Sequence, residues 1–393
     1  MTERYFAPCP RRLEAALASE VDALGAHSVA PADGGVGFAG PIELAYRANL
    51  ESRLASRILW QVAHGRYRNE DELYALANGV DWKRHFAAER TLRVDIAATR
   101  SPLASVEFAT LKIKDAICDR FRADCGRRPS VDKRRPDVRA YAYLTERDAT
   151  LYLDTSGESL FKRGWRSDTE AAPLRENLAA GILALAGWVP EIPLLDPMCG
   201  AGTIAIEAAL AAAARAPGLR RTFGFQKLAW YDGPTWQRIR QRAHDRVRPP
   251  PSAPMIFASD VDARAVAQCR RNADSAGISP WVAIDEADVL SRAAPARSGL
   301  LIANPPYGVR LDDEASLAAF YPKLGDALKQ RYAGWTAWLF SGDPRLPKLI
   351  GLKPSKRTPL YNGALECRLF RFEIVAGRPQ RASRELGNGN PRR

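Results

Sequence analysis

Histidine is scarce in this chain: there are four in 393 residues, at 27, 64, 85 and 244, and no two stand at a metal-ligand spacing. The six cysteines, at 9, 118, 125, 199, 269 and 367, form no CxxC pair. Neither a zinc ribbon nor a metal-centred mechanism is expected, and scattered thiols fit a reducing, cytoplasmic setting. No run of about 18 uncharged apolar residues occurs, so no membrane-spanning helix is expected. The opening MTERYFAPCPRR sets an acid beside a base and has no apolar core, unlike a signal peptide.

Acid is in deficit too. Asp and Glu number 45 against 58 Lys and Arg, a net charge of +13. A basic balance of that size is a statement about partners rather than fold, and a polyanion, nucleic acid first, is the partner it favours. The chain is 46% hydrophobic and 26% charged, which excludes a disordered chain, a collagen-like chain and a small disulfide scaffold. At roughly 100–200 residues per domain, the length implies two or three domains.

The excess charge is uneven. Residues 112–139 carry ten Lys and Arg against five acids, and residues 215–248 carry nine against Asp232 and Asp245. The last 18 residues carry five against one, with no apolar residue beyond Leu386, and read as a disordered tail. Any one run could be a solvated face; three in one basic chain favour phosphate contact.

Residues 11–24 read as an amphipathic helix, with Leu13, Leu17, Val21 and Leu24 at helical spacing and Gly25 as a stop. Residues 42–64 give a second helix-like run through Leu50, Leu54, Ile58 and Trp60. Strand-like segments at 91–97, 139–144 and 149–153 surround a helix over 105–124, so the first 155 residues look like an α+β module. SGESLFKRGWR at 156–166 is polar and basic and reads as a connector. From 173 onward strands and helices alternate, which means a mostly parallel sheet covered on both faces. Strands are expected at 192–196, 255–260, 281–284, 299–303 and 335–341, and helices at 203–214, 263–276 and 314–331. Asn362-Gly363 is a hairpin signal, and 366–375 alternates as an antiparallel strand expected at the sheet edge.

The first βα turn reads LLDPMCGAGTIAIEAAL. An apolar strand ends in Asp196, and a loop with Cys199, Gly200 and Gly202 leads into a helix. This is not GxGxxG, so a dinucleotide pyrophosphate is disfavoured, and with it a dehydrogenase. A carboxylate beside a positive helix N-terminus suits a zwitterion: Asp196 for an ammonium, backbone amides for a carboxylate. S-adenosylmethionine (SAM) is such a zwitterion and is the expected cofactor. Asp260, at the tip of the second strand, is placed for ribose hydroxyls, while Asp262 can cap the next helix. Asp288, after the third strand, is placed for the adenine amino group. The long interval between Asp196 and Asp260 implies an insertion, about 215–254, rich in Arg and Trp.

After the fourth strand comes Asn304-Pro305-Pro306-Tyr307. Two prolines fix a rigid turn at a strand's C-terminal end. The Asn304 and Pro305 carbonyls are acceptors that can grip an exocyclic amino group, and Tyr307 offers a face for an unpaired base.

DPMCGAGTIAIEAAL together with NPPYGVRL resembles the amino-methylating, SAM-dependent class I methyltransferases. SGESLFKRGWR, APLRENLAA and LYNGALECRLF narrow the resemblance to the THUMP-domain bacterial 23S rRNA guanine-N2 methyltransferases, often labelled N6-adenine-specific DNA methylases. The resemblance covers nearly the whole chain and is strong from 140 onward. It departs at Ala201, where the family often has serine, and at Val309, where it often has glutamate. Some relatives carry a second methyltransferase domain, so this chain looks like the guanine-N2 half alone. The resemblance implies an α/β fold: a Rossmann-like class I methyltransferase domain, its sheet mostly parallel with an antiparallel C-terminal strand, after an α+β THUMP-containing RNA-binding module. The implied division is a ferredoxin-like segment over 1–65, THUMP over 66–155, a linker over 156–172, the methyltransferase over 173–380 and the basic tail over 381–393.

The function this implies is methylation of a guanosine 2-amino group in structured RNA, 23S rRNA or a ribosome assembly intermediate, by a protein expected to be a monomer. Asn304, Pro305 and Tyr307 are its expected catalytic residues, and Asp196, Cys199, Gly200, Gly202, Asp260 and Asp288 its cofactor-binding residues. The same chemistry leaves open a guanosine in tRNA or an adenine 6-amino group. A catalytically dead RNA-binding protein would need a broken loop or NPPY turn, and both are intact.

Overall fold

A computed structural model of the chain describes residues 2–166, 174–306 and 311–375, with backbone alone over 311–318. The expectations at Tyr307 and Val309, for residues 167–172 of the linker and for the C-terminal tail lie outside the described residues.

The N-terminal part is built on one seven-stranded sheet, ordered β2-β3-β1-β4-β7-β6-β5. Its strands are β1 (Glu3–Pro8), β2 (His27–Ala32), β3 (Gly35–Gly40), β4 (Leu59–Arg66), β5 (Leu92–Ala98), β6 (Val138–Leu144) and β7 (Asp148–Asp154). The helices are α1 (Glu14–Ala23), α2 (Ile42–Glu51), α3 (Glu70–Asn78) and α4 (Val106–Cys125). Local chemistry sets their ends. The Ser105 side chain accepts from the Phe108 amide at the start of α4, and Gly126 ends it at φ 72°. Leu13, Leu17 and Val21 on and beside α1 are fully buried, as their spacing predicts.

The helix-like run over 42–64 does not form as one helix. The helix ends at Glu51, Ser52 turns extended at ψ 127°, and Trp60 belongs to β4. The Ser52 hydroxyl donates to Glu20 and accepts from the Ala55 amide, which fixes a non-helical turn. Leu54 and Ile58 are apolar because that loop is buried, and helical spacing cannot distinguish the two causes.

The C-terminal part is a second seven-stranded sheet, ordered β10-β9-β8-β11-β12-β14-β13. In chain order it comprises α5 (Glu176–Leu185), β8 (Leu194–Asp196), α6 (Thr203–Ala212), α7 (Gly233–Asp245), β9 (Ile256–Asp260), α8 (Ala263–Ala276), β10 (Val282–Glu286), β11 (Gly299–Ala303), α9 (Leu311–Arg331), β12 (Trp335–Ser341), α10 (Leu346–Leu349), β13 (Lys356–Asn362) and β14 (Leu365–Glu373). Strands β10, β9, β8, β11 and β12 are parallel, while β14 pairs antiparallel with β12. The expected edge strand is β14, yet it lies inside the sheet. Its hairpin partner β13 pairs on its outer side and becomes the edge. Among the described residues no helix is long and apolar enough to cross a membrane.

The insertion joins the two parts. Tyr46 on α2 stacks on Trp230 at 5.7 Å and meets Phe225 at 4.6 Å. Its hydroxyl accepts from the Asp232 amide at 2.8 Å. One hydrophobic core runs through this contact from the first sheet to the second.

The connector over 156–166 buries Leu160, Arg163 and Trp165, each about 2% exposed. Arg163 meets Glu207 of α6 through two bonds of 3.1 and 3.3 Å, and Glu207 has no exposure. The same guanidinium donates to the carbonyls of Leu160 and Arg53. Arg53 in turn donates to the carbonyls of Leu210 and Arg215 at the end of α6. Arg166 reaches Thr203 at its start. Three arginines therefore hold one helix along its length.

Removing one partner of a dry ion pair strands the other charge, at a cost of about 3–5 kcal/mol. Arg163→Ala should lose stability on that scale in urea unfolding, and Arg163→Met/Glu207→Leu should recover most of it. A single variant as stable as the parent would show that the pair carries no such role.

Candidate active site

The strand order of the second sheet reverses between β8 and β11, and open α/β sheets hold ligands at that crevice. Asp196 ends β8. The register pairs Leu195 with Leu301 and Asp196 with Ala258. Asn304 and Asp260 thus each stand two residues beyond the level of Asp196, about 7 Å further along the strands. The deeper position is the drier one: Asp196 is 1% exposed. Burial, then the neighbouring Asp260 charge, push its carboxyl up to about 8, against a bond from the Met198 amide that favours the anion. Its Oδ1 is buried and has no partner among the described residues.

The loop after β8 separates its two glycines by role. Gly200 has φ 50°, and a Cβ there would meet nothing within 4 Å, so the loop faces open space at this point. Gly202 has φ 84°, and a Cβ there would lie 2.4 Å from Cys269 Sγ on α8. Gly200 allows close approach from outside; Gly202 is required by packing inside. Cys199 is buried, and its thiol is turned toward Cys269, a contact that raises its pKa. It serves the loop through its backbone, donating to the Ser259 carbonyl at 2.9 Å. Asp260 braces the same loop: Oδ2 accepts from the Gly200 amide at 2.9 Å and Oδ1 from Asp262 at 3.0 Å. Each oxygen keeps a lone pair for a further donor. Asp262 caps α8 through the Arg264 amide. Asp288 lies just past β10, where Oδ1 accepts from the Leu290 amide.

Across the crevice, Asn304 has its Oδ1 buried with no partner among the described residues. A buried acceptor without a donor costs about 1–3 kcal/mol, so two such atoms at neighbouring strand tips mark a place shaped for donors from outside. Pro305 is buried, and the Pro306 carbonyl accepts from Tyr321 of α9 at 2.6 Å, which fixes the turn.

Sequence reasoning missed Tyr321 and Arg166. Arg166 donates to Glu176 and to Thr203 Oγ1, the first residue of α6, while its Nη1 is buried and unpartnered among the described residues. A cation held beside a helix N-terminus suits an incoming carboxylate. Tyr321 sits in an ordinary helical pattern, and Arg166 in a run of solvated-looking charges. Neither gave a local signal. Among the described residues, no three His, Cys, Asp or Glu cluster as a metal site would need.

Residues 163–371 match the RMKL-like methyltransferase domain, residues 67–154 the THUMP domain, and residues 4–59 the RlmL ferredoxin-like domain. The chain belongs to the RMKL-like methyltransferase family. It is 42% identical, over 95% of its length and 54% of the relative's, to the ribosomal RNA large subunit methyltransferase K/L of Syntrophotalea carbinolica. This chain spans about half the length of such curated relatives. It is 40% identical, over 95% of its length and 97% of the relative's, to slr0064 of Synechocystis, which has RNA methyltransferase in its name. The SAH-bound crystal structure of SMU.472 superposes with a TM-score of 0.86 at 29% identity, covering 96% of this chain and 99% of that one.

The two glycines should part company on substitution. Gly202→Ala combines a left-handed backbone with a clash and should lower the thermal midpoint markedly. Gly200→Ala carries backbone strain alone, about 1–2 kcal/mol, and should stay folded while losing ligand affinity. Calorimetric scans of both variants check this; equal midpoints would remove the packing role of Gly202.

Proposed function

We propose that this chain methylates the 2-amino group of a guanosine in structured RNA, with SAM as donor and 23S rRNA as substrate. The observation that carries the reading is the buried, unpartnered Asn304 carbonyl on a turn made rigid by Pro305, Pro306 and Tyr321, across the crevice from Asp196.

The residues fit SAM. Asp196 Oδ1 lacks a donor and suits the ammonium, Arg166 and the α6 amides suit the carboxylate, Asp260 suits the ribose hydroxyls, and the open face of Gly200 admits the body of the molecule. When bound, SAM supplies an electrophilic methyl group. The chain's own residues prepare the acceptor nitrogen. A guanine 2-amino group is a poor nucleophile because its lone pair is delocalised into the ring. The Asn304 and Pro305 carbonyls draw its two hydrogens into fixed directions, which favours a pyramidal nitrogen and stabilises the positive charge that develops on it. No strong base is required if the proton leaves after the carbon attaches. The same grip fits an adenine 6-amino group, and nucleoside mapping of the product separates the two. RNA as substrate is supported by the THUMP match, the +13 charge and the names of the relatives.

Asn304→Ala should cut single-turnover methyl transfer to unmodified 23S rRNA by about 10²–10³, the scale for one preorganised polar partner, with SAM affinity little changed. Near-normal turnover would return the turn to a structural role.

Asp196 gives a separate test. Its carboxyl in the free protein titrates near 8, and the ammonium pairs only with the anion. Binding below that pH therefore releases a proton. Affinity should climb by up to about tenfold per pH unit well below 8, flatten near 8, and fall again as the ammonium itself loses its proton. Asp196→Asn should bind weakly with no such slope. Calorimetry in buffers of different ionisation heat reads the released proton, and a pH-independent wild-type affinity would exclude the pairing.

A further inference from the structure

The insertion carries a second site of a different kind. Helix α7 is two-faced: Trp236, Ile239 and Ala243 face the core, with Trp236 packed against Phe223 and Phe225. Gln237, Arg240, Gln241 and His244, at positions i, i+3, i+4 and i+7, point the other way. Together with Arg215 and Arg220 they line a groove of about 480 Å³. Among the described residues, no carboxylate lines it. Of the acids on neighbouring elements, Glu51 is paired with Arg246, Asp274 accepts from Ser279, and Asp245 accepts from Gln241 on the groove wall at 2.7 Å.

The cations are gathered rather than dispersed. Arg215 donates to the Gly277 carbonyl at 3.0 Å, which pins it to the end of α8. A Cβ on Gly277 would lie 2.7 Å from Arg215 Nη1 and 3.5 Å from Arg220 Nη2, so both guanidinium groups converge over that glycine. Burial and the like charge of Arg220 hold Arg215 below the usual guanidinium range. Arg220 and Arg240 have no ion-pair partner among the described residues. Like charges held together without an acid repel one another, and a bound anion removes that repulsion.

We propose that this groove binds backbone phosphates of the RNA substrate, as a contact on the catalytic part separate from the N-terminal module. The proposal rests on the RNA reading above. The arginine forks and the Gln237 amide are donors suited to phosphate oxygens. An open groove with cations on both walls suits a threading polymer better than an enclosed small anion. The aromatic anchoring of the insertion on Tyr46 holds the groove in a fixed place relative to the first sheet.

The test uses the full chain and a 23S rRNA transcript made without modification, with binding followed by fluorescence anisotropy over a series of KCl concentrations. Arg220→Ala/Arg240→Ala should weaken binding roughly tenfold or more and flatten the log–log salt slope by about 1–2. SAM affinity and melting temperature should not change. Arg4→Ala, an exposed cation far from the groove in sequence, should leave the slope as it is in the parent. Inorganic phosphate should compete no better than chloride at matched ionic strength. An unchanged slope in the double variant, beside a steep slope in the parent, overturns the groove and leaves the RNA reading standing. A parent protein that does not bind the transcript overturns both. Displacement of the RNA by inorganic phosphate alone, beyond the effect of ionic strength, would make this a small-anion site and also overturn the proposal.

Discussion

Helix α6 carries at its N-terminus the loop on which the site is built, and the dry Arg163–Glu207 pair keeps that helix where it is. Two charges out of water are expensive, and only good geometry compensates. Here the guanidinium spends its donors on both oxygens of Glu207 and on two carbonyls, those of Leu160 and Arg53, so little hydrogen-bonding capacity is wasted. An apolar pair could supply as much stability, but it would not tie α6 to the connector and to the end of α2 in one register. Arg53 at the far end of α6 and Arg166 at its start extend the same hold. Loop, helix and N-terminal part therefore share one polar framework.

Around that helix the acidic residues divide by depth. Asp196 is set low and dry, where burial and a like charge push its carboxyl up to about 8. Asp260 stands higher and half in water, with each oxygen engaged by a backbone amide. Asp262, one turn further, has become a helix cap. Three aspartates close in sequence or register thus differ in state, set by exposure and hydrogen bonding rather than by residue type.

The alternating half of the chain was the legible half. Strands β11 and β12 and helix α8 fall where apolar runs, Asp262 and Gly277 place them, because each element is buried or capped by its own residues. The strands β1, β2 and β3 were not legible. GVGFAG in β3 has three glycines, and HSVAPA in β2 is mostly exposed, so neither shows strand composition or alternation. They are strands because β1 pairs with β3 and β4, a tertiary cause. In the crevice, the positions of Asp196 and Asn304 were legible because each closes an apolar strand run, and that of Gly200 because the turn has a φ of 50° there. Arg163 and Arg166 could not, since Glu207 lies 44 residues from the first and Thr203 lies 37 from the second. A charge run looks the same whether its members are solvated or buried.

Strand β4 has a consequence for how this architecture can be taken apart. The ferredoxin-like match ends at 59 and the THUMP match begins at 67, while β4 runs from Leu59 to Arg66. This strand pairs with β1 on one side and with β7 on the other. What look like two cassettes in the sequence are thus zipped along a common seam, and the seam is itself a row of the sheet. Grafting either cassette onto another enzyme would have to carry β4 with it, and whichever piece was left behind would expose a raw sheet edge open to pairing with other chains.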